Sequence, residues 1–74
     1  MNTRIVTLAG LEMRILDTPD SHLIVHELEH AKRTAATFAF RARPDVLGEE
    51  NAAALAYEQA AARAAWLLLT AYSV

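Results

Sequence analysis

Two long stretches of helical character flank Arg43-Pro44-Asp45, and this break constrains the fold more than any other feature of the chain. Proline disfavours helical geometry in the residue before it, so the first helix must end there. A short connection between two helices returns the second along the first, which predicts an antiparallel pair turning near Pro44. The first helix should run from about residue 18 to 42. Thr18 or Asp17 can cap it, Pro19 suits the first helical position, and Asp20 complements the helix dipole. Ile24, Leu28, Ala31, Ala35, Phe38 and Ala42 form its core-facing stripe. The second helix should start near Gly48-Glu49-Glu50 and run to about residue 72. Leu55, Ala62, Trp66 and Leu69 make one apolar stripe, widened by Tyr57, Leu68 and Tyr72. Its many alanines favour helix and permit close backbone approach.

The first sixteen residues follow a different period. From Leu11 the residues alternate, with Leu11, Met13 and Ile15 on one side and Glu12 and Arg14 on the other, the mark of a half-buried strand. Ile5, Val6 and Leu8 suit a preceding strand, and Ala9-Gly10 can turn one into the other. The rival is a short helix through 8–16, since Leu, Glu, Met and Arg also favour helix. The expected fold is α+β: a short β-hairpin over residues 4–16 followed by two long antiparallel helices, in one small domain spanning 1–74. A hairpin seldom stands alone, so it should pack on the first helix through Leu11, Met13 and Ile15.

Composition narrows the function. A chain of 74 residues builds one modest core, and a bound metal or a partner chain would add stability. Net charge is −2 with no basic patch, which argues against nucleic-acid binding. The absence of cysteine excludes disulfides and thiolate metal sites and fits a reducing compartment, expected here to be the cytoplasm. There is no signal-peptide pattern. The apolar stretch over 52–74 is interrupted by Glu58, Gln59 and Arg63, which excludes a membrane span.

All three histidines lie on the first helix, at His22, His26 and His30. His26-Glu27-Leu28-Glu29-His30 reads H-E-x-x-H. Residues four apart share a helix face, so His26 and His30 can offer two imidazoles to one metal ion, with Glu27 beside them to accept a proton from water. The plainer reading is a solvated face with Glu29 paired to Arg33. His22 lies roughly 12 Å along the axis from His30, too far to share the ion on a straight helix. A catalytic zinc takes three protein ligands, and with no cysteine and no fourth histidine the third must be a carboxylate or a residue from a partner. Asp45, Glu49, Glu50 and Glu58 are the downstream acids. In a symmetric pair turning near Pro44, His30 lies opposite Glu58, whereas Glu50 would reach the histidines only if the first helix ended early or the connection folded back. Glu58 also sits inside the apolar arc, where a carboxylate needs a partner to offset desolvation. It could instead skirt the arc and reach solvent, or pair with a protonated histidine.

The segment His26-Glu27-Leu28-Glu29-His30-Ala31 resembles the active-site helix of HExxH zinc metallopeptidases. Tyr57-Glu58-Gln59-Ala60-Ala61 resembles the glutamate-bearing helix of the gluzincin type. The resemblance implies zinc on His26, His30 and Glu58, with Glu27 as general base in the hydrolysis of a peptide substrate. Glu49-Glu50-Asn51-Ala52-Ala53 is a second match for the glutamate segment. The likeness covers the two helices only. Domains of that family are usually longer, with a fuller sheet whose edge strand holds the substrate. No separate oxyanion-stabilising residue follows the second helix, although Tyr57 or Tyr72 could reach.

Trp66, Leu67, Leu68 and Leu69 place bulky groups on every side of one helix. So small a domain cannot cover them all, which suggests a homo-oligomer or a protein partner. The same run supports a rival class: a small helical binding or inhibitor protein without catalysis.

Overall fold

The computed structural model describes residues 2–41 and 48–74. Strand β1 (Thr3–Leu8) pairs antiparallel with β2 (Leu11–Leu16). They are followed by helix α1 (Pro19–Arg41), helix α2 (Glu49–Leu69) and a 3₁₀ turn over Thr70–Tyr72. The expected α+β arrangement of a hairpin and two helices is therefore present. The expected break at Arg43-Pro44-Asp45, and Ala42 at the end of the helical stripe, lie outside the described residues.

The hairpin closes on two residues, with Leu8 opposite Leu11. Ala9 and Gly10 both have positive φ, +50° and +81°. This is the handedness that matches strand twist in a two-residue turn. Register then decides which side chains face the helices. Val6 pairs with Met13 and Arg4 with Ile15, so these four share one face. Val6 and Ile15 are buried there and Met13 is half-buried. The other face, with Thr3, Ile5, Thr7, Glu12 and Arg14, is solvated. Leu11 departs from expectation. It belongs to the inward face but is 62% exposed, because it sits at the hairpin tip beyond the packed part of the helices.

The outer backbone of β2 is satisfied by the chain itself. The Val74 amide donates to the Arg14 carbonyl at 3.0 Å, and Ser73 forms a bridge with Ile15. The Ser21 hydroxyl donates to the Leu16 carbonyl at 2.6 Å. On the β1 side, Lys32 Nζ donates to the Thr7 carbonyl at 3.0 Å. A helix thus guards one edge of the hairpin and the C-terminus the other, which limits unwanted strand pairing.

Helix α1 begins with a reciprocal cap. The Ser21 amide donates to Thr18 Oγ1 at 3.1 Å, and the Thr18 amide donates to Ser21 Oγ at 2.8 Å. Ser21 takes the place that glutamate holds in the common form of this box. Of the two expected caps, Thr18 fills the role. Helix α2 begins after Gly48, as expected, and its last α-helical residue is Leu69, three residues short of the expected end because the chain tightens into the 3₁₀ turn.

One cluster forms the core: Val6 and Ile15 from the hairpin, Val25, Leu28 and Ala31 from α1, and Ala62, Ala65 and Leu69 from α2. Of the expected α1 stripe, Leu28 and Ala31 are buried, but the buried face reaches further toward the N-terminal end of the helix than expected. Val25 and Ser21 are fully inside, while Ile24, Ala35 and Phe38 are only half-buried, because α1 meets the hairpin on one flank and α2 on the other. The far halves of both helices extend past this cluster. The molecule measures 49 × 20 × 14 Å with a radius of gyration of 14.1 Å, against about 11 Å for a compact chain of this length.

Candidate functional site

The helical pair has two sides. The hairpin covers one; the other carries a cleft of about 510 Å³ between α1 and α2. From α1 the cleft is lined by His26, Glu27 and His30, and from α2 by Tyr57 and Glu58. Ala31 and Ala61, one from each helix, complete the lining. These small residues let the helices approach and leave room for the polar groups above them.

The four candidate site residues drawn from sequence therefore lie in one cleft. The pairing of His30 with Glu58, expected from equal distances to Pro44, matches their common lining of that cleft. Helical spacing accounts for the α1 wall: His26 and His30 are one turn apart, and Glu27 and His30 are three residues apart. Glu58 is half-buried, whereas His26, Glu27 and His30 are exposed. Among the described residues, no three acidic or histidine side chains of the single chain converge as a ready ligand group. Glu49 and Glu50 are exposed at the start of α2, both more than two helical turns before Glu58, and do not line the cleft. Asp45 lies outside the described residues.

His26 stands at a boundary. It also lines a neighbouring depression with Arg4, His22, Glu29 and Arg33. Two guanidinium groups on that flank oppose the approach of a cation from that direction. The expected Glu29–Arg33 pair is replaced by another. Glu29 lies 3.6 Å from Lys32 Nζ, because Lys32 is drawn toward the hairpin by its bond to Thr7 and passes Glu29 on the way.

Sequence reasoning did not find a second groove on the hairpin side. It has a volume of about 620 Å³, with Leu8, Leu11 and Trp66 on its walls and Lys32, Gln59 and Arg63 around it. No sequence signal could have located it, since its lining is divided among the hairpin, α1 and α2, which lie far apart in the chain. No family model matches this chain, and neither the curated proteins nor the solved structures contain a match.

Proposed function

We propose that this chain is a small zinc-binding protein of the HExxH kind, holding the ion on His26, His30 and Glu58 and acting on peptide bonds in the manner of a metallopeptidase. The observation that carries the reading is the shared cleft: two imidazoles one helical turn apart, a carboxylate beside them, and a half-buried carboxylate on the facing helix. The donor set suits zinc, which accepts nitrogen from histidine and oxygen from glutamate. Bound zinc would supply Lewis acidity, making a water more acidic and polarising a carbonyl. Glu27 would accept the proton of that water and pass it to the leaving amine. Tyr57, exposed at the cleft wall, could donate a hydrogen bond to the carbonyl oxygen as it gains charge. The absence of cysteine fits work in the cytoplasm.

The test is metal content and peptide hydrolysis on the purified chain. The expected result is one zinc per chain. Glu27→Gln should keep the metal and lose hydrolysis, and His30→Ala should lose both. Zinc affinity should fall as pH is lowered, since protons compete with metal for the imidazole nitrogens. A chain that takes up no zinc, or that keeps it in His30→Ala, would sink the proposal.

A second reading has its own support. Leu67 and Leu68 are 62% and 58% exposed at the end of α2, beside the half-buried Trp66. A binding or inhibitor protein would use such a surface for a partner chain. It predicts no stoichiometric metal and unchanged behaviour in His30→Ala.

A further inference from the structure

The groove on the hairpin side differs in chemistry from the histidine cleft. Leu8 and Leu11 line it from the hairpin, Ala35 from α1, and Ala62 and Trp66 from α2. The two alanines are short, so the space between the helices stays open there. Its volume of about 620 Å³ falls within the range of small-molecule sites, about 300–1,000 Å³. The groove also gives Leu11 a role. That side chain belongs to the inward face of β2 yet is 62% exposed. A large apolar group left in water costs free energy that an apolar ligand would recover.

The charges along the groove are of one sign. Lys32 and Arg63 line it, and no acid does. By contrast, the cleft on the other side carries Glu27 and Glu58. Lys32 Nζ donates to the Thr7 carbonyl at 3.0 Å and lies 3.6 Å from Glu29, which does not line the groove. These two contacts hold the ammonium beside the hairpin and leave one of its three N–H groups for a further acceptor. Arg63 is exposed and has no hydrogen bond or ion pair to another described residue. Its planar guanidinium offers a fork of donors that matches a carboxylate. Gln59 adds a neutral amide donor on the same helix.

We infer that this groove binds the free anion of a medium-chain aliphatic carboxylic acid, with the alkyl tail along Leu8, Leu11 and Trp66 and the carboxylate on Arg63 and Lys32. Apolar walls alone would take a neutral molecule equally well; the two cations select an anion. A small anion without a tail would leave the apolar walls in water. The walls come from three elements, so a single tail can lie between them, whereas the surface of a bilayer cannot. The groove lies across the helical pair from His26 and His30, and the inference does not depend on a metal there.

The experiment titrates sodium decanoate, below its micelle concentration, into the full chain freed of metal with EDTA. Trp66 is the sole tryptophan, so its emission reports on this groove. The expected result is a saturable blue shift, with one decanoate per chain by isothermal titration calorimetry. Decanol has the same tail and no charge, and should bind at least about tenfold more weakly. Arg63→Gln should weaken decanoate about three- to tenfold, and Leu11→Ser by a similar factor. Both positions are exposed, so circular dichroism should show both variants folded. Arg14→Gln removes an exposed cation from the outer face of the hairpin and should bind decanoate as the native chain does. Equal affinities for decanoate and decanol would overturn the inference, as would an equal loss in Arg14→Gln and Arg63→Gln. So would the absence of saturable binding, or an emission shift seen with phosphatidylglycerol vesicles and not with the monomeric acid.

Discussion

Ser21 shows how much one small residue can hold in place. It is fully buried, accepts from the Thr18 amide, donates to the Leu16 carbonyl, and its own amide is capped by Thr18. It therefore fixes both the start of α1 and the end of β2. Ser21→Ala should cost about 1–3 kcal/mol in urea melts, because it removes a cap and leaves the Leu16 carbonyl without its partner. A change below a few tenths would mean that water replaces the hydroxyl. The sequence pointed to a helix start here through Thr18 and Pro19, and both fall where expected. It did not point to Ser21, since a serine three residues after a cap carries no sign that its hydroxyl also reaches a strand. The site residues divide in the same way. His26, Glu27 and His30 were legible because a local spacing places them. Glu58 was one of several acids, and a geometric argument about the pair of helices was needed to rank it.

At the scale of elements, the hairpin is the clearest example of local chemistry setting geometry. Both turn residues have positive φ, yet only Gly10 adopts such angles without strain. A methyl group at Gly10 would meet no atom within 4 Å, so the cost of Gly10→Ala should come from the backbone alone, about 1 kcal/mol. Ala9→Asn should instead stabilise the hairpin by about 0.5 kcal/mol, since asparagine tolerates the left-handed region better than alanine. Thermal melts of the two variants should move in opposite directions. Equal shifts would argue against a turn of this kind. Period-two alternation located β2, and the Ala9-Gly10 pair located the turn. The exposure of Leu11 was not legible, because alternation tells which face a residue occupies but not how far the opposing layer extends.

For the whole molecule, eight buried apolar residues among those described form the core, and they gather at one end of an elongated shape. Leu69 is fully buried where α2, α1 and the hairpin meet. Leu69→Ala should cost about 2–5 kcal/mol, a large share of what so small a core can supply, and should abolish a cooperative melt of the single chain. If the melt stays cooperative and shifts by only a few degrees, stability comes from elsewhere, such as a partner copy. No helix among the described residues is long and apolar enough to cross a membrane, in keeping with the charged residues that interrupt α2. The sequence by itself determined the elements, their order, the antiparallel return of the helices and the α1 half of the candidate site, because each depends on residues within a turn or two of one another. Only the tertiary structure decided that α1 is shared between the hairpin and α2, that the C-terminus and Lys32 guard the two strand edges, and that Glu58 enters the cleft of the histidines from its far wall. Those outcomes depend on how three elements divide a limited buried surface, and such a division has no local signature in the chain.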